Sequence, residues 1–529
     1  MTRTVFSRGL AMAFIALFLV ACGGGGGSSG GAAVAPPAGW VAGTFAPASN
    51  FEARCATPRS GVDPTTNRAY PDVQGSLLAE NNWLRSWSNH LYLWYAEIVD
   101  RDPAGYSTTA AYFDVLKTTA STPSGRAKDR FHFQMPTSTW IARSQSGVSA
   151  GYGATWSLVA ASPPRRIVVA YTEPGSPATS TAVNLARGAV VLGVDGFDAV
   201  NDGSQAAVDA LNAGLFPPSA GASHTFVVQD RGASTTRSVT MTSVNVTSTP
   251  VQNVSTFATP SGTVGYMLFN DHLATAEQAL IDAIAQLDAV GVVDLILDIR
   301  YNGGGYLDIA SEAAYMIAGP ARTAGRTFEL LTFNSKHPTT DPVTGRPLAP
   351  QPFESTANGF SAPAGQPLPT LDLGRVFVLT GPNTCSASES IINALQGIDV
   401  EVIQIGSTTC GKPYGFYPQD NCGTTYFTVQ FKGVNAKGFG DYADGFSPVN
   451  TTSNPGAVIS GCSVGDDFDH ALGDPLERRL AAALAYRTSG TCPAASGIVR
   501  SASSARALPE PLDGIVVKPE WLQNRIVRQ

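Results

Sequence analysis

Two short blocks of the sequence combine residue types that can do chemistry together. In the first, an apolar run from Arg375 to Thr380 ends in Gly381-Pro382-Asn383-Thr384-Cys385, and Ser386-Ala387-Ser388-Glu389 opens a segment with Ile391, Ile392 and Leu395 on one side. That pattern predicts a strand, a turn and a helix, with Ser386 at the helix N-terminus. Ser386-x-x-Glu389 is also a capping box, which explains a serine there without any catalytic duty. A serine so placed is nevertheless well positioned for nucleophilic attack, because the N–H of Ala387 can hold an oxyanion and the helix dipole assists. The second block begins with the run Val400 to Ile405, read as another strand, and ends in Gly406-Ser407-Thr408-Thr409-Cys410-Gly411-Lys412. A serine hydroxyl is a weak nucleophile until a base takes its proton. Lysine serves as that base only where burial disfavours its ammonium. The chain has seven lysines in 529 residues, so one beside such a turn is informative.

A third block lies upstream. Val264 to Phe269 reads as a strand and Ala274 to Leu287 as an amphipathic helix. Val293 to Ile299 is an apolar run of the kind a buried parallel strand shows. It empties into Arg300-Tyr301-Asn302-Gly303-Gly304-Gly305, followed by a helix through Ile309 to Ile317. Three glycines after a strand allow a tight turn and present bare N–H groups, either as a plain turn or as an oxyanion site. The rival chemistries are poorly supplied. The six histidines fall outside these blocks, no Cys-x-x-Cys or His-Glu-x-x-His occurs, and the Gly-x-Ser-x-Gly of Gly27 to Gly31 lies in a glycine-rich tether. No metal or cofactor is implied. Charged residues make up only 14% and the net charge is -7, which argues against nucleic acid as a partner. Apolar residues at 43% are enough for real cores.

Asp298-Ile299-Arg300-Tyr301-Asn302-Gly303-Gly304-Gly305, Ser386-Ala387-Ser388-Glu389 and Gly411-Lys412 resemble, in order and spacing, the signature blocks of the C-terminal processing (tail-specific) proteases. These are Ser/Lys peptidases with an embedded PDZ domain, and the resemblance covers about residues 80 to 490. It implies Ser386 as nucleophile, Lys412 as general base, and the N–H groups of Ala387 and of Gly303 or Gly304 as oxyanion hole. The sequence departs from the family at Phe416, where many members carry a Gln that orients the lysine. Glu389, Gln396 or a backbone carbonyl could take that role, or the dyad could work alone. Loss of this partner also leaves open an inactive scaffold, acting as a peptide-binding adaptor or chaperone.

The expected fold is multidomain α/β. Residues 51–146 form a small helical domain, with Leu84, Trp87, Leu91, Tyr112, Phe113, Val115 and Leu116 apolar; residues 147–248 form a β-domain; residues 249–500 form the peptidase core, for which the resemblance implies a crotonase-like (ββα spiral) fold; and residues 501–529 form a tail. The β-domain resembles PDZ through Gly151-Tyr152-Gly153, Glu173 to Ala178 and Gly188 to Gly196, which implies an extended peptide added to a sheet edge, often by its free C-terminus. Residues 1–22 read as a signal peptide, with Arg3 and Arg8 before the apolar run Ala11 to Val20. Its end, Leu19-Val20-Ala21-Cys22, resembles the bacterial lipobox. That implies lipidation of Cys22, residues 23–50 as a flexible tether, and attachment to the cell envelope. The absence of an acidic residue after Cys22 points to the outer membrane. Six further cysteines allow fifteen pairings; proximity favours Cys410 with Cys422 and Cys462 with Cys492. The function read from the sequence is therefore a lipid-anchored serine endopeptidase that cuts unfolded or C-terminally presented polypeptides.

Overall fold

Along the chain, strands of continuous apolar character alternate with amphipathic helices, and the central sheet follows from that pattern. In the computed structural model, which describes residues 40–63, 66–452, 456–493, 515–516 and 525–527, this sheet has six strands. Their order is Val251–Thr259, Gly262–Phe269, Asp294–Asp298, Arg375–Thr380, Glu401–Gly406 and Gly461–Ser463. The first pair is antiparallel and the rest are parallel. Successive side chains of a strand point to opposite faces, and here both faces are covered. Leu295, Leu297, Val376 and Val378 pack against the helices Ala276–Ala289, Leu307–Ala318 and Ala387–Gly397. Ile296, Phe377, Leu379 and Ile405 pack on the opposite side, with Leu480 and Ala483 of the helix Arg478–Ser489. The predicted strands and helices of this half appear with their ends moved by one or two residues.

A second β-structure, of seven described strands, covers part of that other face. Its antiparallel strands run Arg237–Thr242, Ser223–Gln229, Val190–Val194, Arg166–Thr172, Ala154–Ala160 and Ile515–Val516, with Phe197–Asp198 paired to Val190–Val194. The helix Gln205–Leu215, whose N-cap Ser204 accepts from the Ala207 N–H, packs on it. Val168, Ala170 and Tyr171 reach across to Tyr266 and Leu268 of the central sheet. The join is also ionic. Buried Arg187 donates to Asp466 at 2.7 Å and to the Tyr301 hydroxyl at 2.6 Å. Fully buried Arg300 donates to Asp298, Asp466 and Glu477 at 2.8–2.9 Å.

Before these come the helices Leu77–Leu91, Thr109–Asp114 and Thr137–Ser146. Trp83, Trp87 and Phe113 pack on Tyr426 of the strand Thr424–Phe427, and Phe133–Pro136 pairs antiparallel with that strand. The segment is therefore laid directly on the part of the chain that follows Lys412. The expected signal peptide with Cys22, most of the expected tether and most of the expected tail lie outside the described residues. Among the described residues no helix is long and apolar enough to cross a membrane.

Three disulfides link Cys55 with Cys422, Cys385 with Cys410, and Cys462 with Cys492, with Cα atoms 5.1–5.5 Å apart. The expected Cys462–Cys492 bond is present, and the expected Cys410–Cys422 bond is not. Nearness in sequence misled there. The turn before Ser386 brings Cys385 to Cys410, while Cys422 faces the N-terminal segment at Cys55.

Candidate active site

Parallel strands bring their C-terminal ends to one edge of a sheet, where their loops can meet. The loops after Asp294–Asp298 and Arg375–Thr380 do so and are laced together. Cys385 N–H and the Ser388 hydroxyl both donate to the Asn302 carbonyl at 3.0 Å, and the Thr384 hydroxyl donates to the Ile299 carbonyl at 2.8 Å. Ser386 is the N-cap of Ala387–Gly397, with φ 60° and ψ -115°. A non-glycine residue there carries backbone strain of the kind functional sites retain, on the order of 1–3 kcal/mol. Ser386 and Glu389 stand in a capping-box arrangement. Glu389 accepts from the Ser386 N–H at 2.9 Å, whereas the fully buried Ser386 hydroxyl makes no hydrogen bond among the described residues.

Glu389 is the hub. Its carboxylate also accepts from the N–H groups of Gly411 and Lys412, both at 2.8 Å, and from the Thr409 hydroxyl at 2.5 Å. One carboxylate oxygen thus holds the backbones of both Ser386 and Lys412. Burial raises the Glu389 pKa, and these hydrogen bonds oppose the rise. The Cys385–Cys410 disulfide fastens the same two loops one turn away. Gly411, at φ 84°, brings its backbone against Ala443, where an added Cβ would stand 2.3 Å from the carbonyl oxygen. Beyond it, fully buried Lys412 lies with its Nζ 4.8 Å from the ring centre of Phe131 and 4.5 Å from that of Phe416. The expected Ser386–Lys412 hydrogen bond is not formed. Such bonds are often long in an unliganded site and tighten with substrate.

The glycine loop is braced by two residues the sequence reading gave no role. Asn302 Oδ1 accepts from the Gly304 N–H at 2.9 Å and lies 3.0 Å from His272 Nδ1. His272 N–H donates to the Gly304 carbonyl, and Tyr306 N–H to the His272 carbonyl. At Gly305, φ 139°, a Cβ would stand 2.3 Å from that His272 oxygen, so only glycine fits. Gly304 is therefore corrected as an oxyanion donor, since its N–H is held by Asn302. The Gly303 N–H donates to no described group, and Ala387 N–H belongs to the first helical turn, where amides lack an intrahelical acceptor. Gln396 is also corrected. It sits near the far end of an eleven-residue helix from Ser386, and its carbonyl accepts from Lys437. His272 was legible only as the loop after Gly262–Phe269, the neighbouring parallel strand.

Gly151, Tyr152 and Gly153 run from the end of the strand Val148–Gly151 to the start of the strand Ala154–Ala160. They line a cleft of about 680 Å³ together with Phe133, Met135, Asp271 and Leu273. Gly153, at φ 76°, packs so closely on Ser176 that a Cβ would collide with it at 2.2 Å.

Residues 263–417, which include all three blocks, match the model of Peptidase family S41. This stretch thus carries an S41 peptidase domain and supports a serine-type peptidase. No curated protein matches the chain. Among solved structures, an S41 protease from Bacteroides fragilis shares 22% identity over 80% of this chain and 98% of its own, with a TM-score of 0.57. The likeness is one of fold. The photosystem II D1 C-terminal processing protease shares 21% identity over 77% of this chain and 100% of its own, with a TM-score of 0.42.

Proposed function

We propose that the protein is a serine endopeptidase in which Ser386 attacks the peptide carbonyl and Lys412 takes its proton. The observation that carries this reading is the shared carboxylate of Glu389, which ties strained Ser386 and buried Lys412 to one point. The attack forms a tetrahedral oxyanion beside the N–H groups of Gly303 and Ala387. Collapse then expels the amine, which receives the proton from Lys412, and leaves an acyl-Ser386 ester. Water, deprotonated by the same lysine, hydrolyses that ester. Neither step calls on a cofactor.

The β-domain is read as PDZ-like and the core as crotonase-like, so that unfolded or C-terminally presented polypeptides are delivered from the Gly151–Gly153 loop. The strand Ala154–Ala160 after that loop supports this, since its outer side already pairs with the short extended segment Ile515–Val516. Lipidation at Cys22 and a place in the bacterial outer membrane complete the reading, supported by the sequence of residues 1–22 and compatible with three disulfides.

A second reading, an inactive peptide-binding adaptor, is favoured by Phe416 in place of the orienting Gln and by the unbonded Ser386 hydroxyl. A fluorophosphonate probe separates the two. Labelling of the wild-type chain that disappears in Ser386→Ala and falls sharply in Lys412→Ala supports the peptidase. No labelling of a folded wild-type chain overturns it.

A further inference from the structure

Two late strands of the chain lie on this presumed path. Ile515–Val516 pairs antiparallel with Ser157 and Leu158 as the outermost strand beside Ala154–Ala160, and points along it towards Gly153. Arg525–Ile526 pairs parallel with Gly305–Tyr306, immediately after the glycine loop. On its other side Ile526 bridges to Phe416, and Val527 N–H donates to the Phe416 carbonyl at 3.3 Å. The second strand therefore runs between the loop that bears Gly303 and the loop that bears Lys412. The cleft of about 680 Å³ is lined both by Gly151 to Trp156 and by Phe133 and Met135.

Ile526 is 3% exposed, in a socket of Phe133, Met135, Trp140, Phe416 and Phe427. The socket shares Phe416 with Lys412, whose Nζ lies 4.5 Å from that ring. Backbone pairing on both sides accepts any extended chain, whereas a closed aromatic and thioether wall accepts an aliphatic side chain and rejects a charged one. We infer that this socket is a side-chain subsite for an aliphatic residue of an extended peptide, and that the protein keeps it filled with its own Ile526. A peptide must displace that strand to enter. The inference rests on the peptidase reading only in that the path ends at a reacting serine.

The test uses the full chain carrying Ser386→Ala, so that nothing is cleaved. The probes are a fluorescein-labelled peptide of the sequence of residues 515–529 and an analogue with aspartate in place of the isoleucine that corresponds to Ile526. Adding Ile526→Asp to the chain should tighten the isoleucine peptide about tenfold, the scale of one buried aliphatic side chain, and leave the aspartate peptide weak. If Ile526→Asp lowers the melting point too far, a chain ending at Gly514 gives the same reading. Equal affinity of the two peptides, or no gain from either variant, overturns the subsite. Fluorophosphonate labelling of wild type is scored separately. Peptide binding as expected without labelling keeps the subsite and removes the peptidase, whereas labelling with binding indifferent to Ile526 does the reverse.

Discussion

The hydroxyl of Ser386 sits at the capping-box position without making a hydrogen bond to any described group, and this separates its two possible duties. Ser386→Ala should abolish turnover while moving the melting temperature little, because no cap bond is lost. Ser386→Gly should abolish turnover and stabilise the protein by about 1 kcal/mol, since glycine adopts φ 60° without a Cβ penalty. Scanning calorimetry and peptide hydrolysis on the same samples check both; a glycine variant no more stable than wild type would mean the backbone there is unstrained. Glu389 offers a contrasting case. Glu389→Gln turns an acceptor-only group, holding three N–H donors, into one that presents an NH₂ to at least one of them. A loss of about 2 kcal/mol and a lower kcat are expected, from urea melts and initial rates.

Elements are held in register by links between distant parts of the chain. Cys385 and Cys410 join the Ser386 turn to the Lys412 loop across 25 residues. Replacing both with Ser should cost about 3 kcal/mol from the closed loop and reduce kcat more than it raises KM, because the two loops lose their shared anchor. Steady-state kinetics with and without reductant would check it. On the N-terminal segment, fully buried His132 lies between the Phe113 carbonyl, 2.8 Å from Nε2, and the Thr428 hydroxyl, 3.1 Å from Nδ1. Burial lowers its pKa to about 4. The unfolded chain binds this proton at about pH 6.5 and the folded one only at about pH 4. The contribution is thus full above pH 6.5 and is lost as pH falls from there to about 4, amounting to about 3 kcal/mol. Thermal melts over that range should steepen in wild type relative to His132→Gln; parallel curves would show that His132 is not buried neutral.

At the scale of the whole molecule, the second β-structure is part of the second layer over the central sheet. Val168, Ala170 and Tyr171 cover Tyr266 and Leu268, so deleting 147–248 should expose an apolar face and cause aggregation. Arg187→Met tests the coupling less destructively. It leaves Asp466 and the Tyr301 hydroxyl without one buried partner, and a loss of about 3–5 kcal/mol is expected. Because Tyr301 precedes Asn302 and Gly303, kcat for short peptides should fall as well. Unchanged kcat in the folded variant would show that the β-structure does not steady the glycine loop.

Local pattern was enough to make the strand and helix ends of the core, the Ser386 turn and the glycine loop legible, because each is written in consecutive residues by apolar runs, glycines and a helix-start serine. What remained hidden depends on residues far apart in sequence. The Cys55–Cys422 and Cys385–Cys410 pairings, the bracing of Asn302 by His272, and the Phe131 ring beside Lys412 arise only when separate loops reach one sheet edge. The relative placement of Ser386 and Lys412 belongs to the same class. Sequence places a nucleophile and a base in two neighbouring strand-ends, but side-chain packing decides how they face each other. Phe416 shows the limit most clearly. As a letter it is an absent Gln, whereas in the fold it is an aromatic wall shared by Lys412, four residues before it, and Ile526, more than a hundred residues after it.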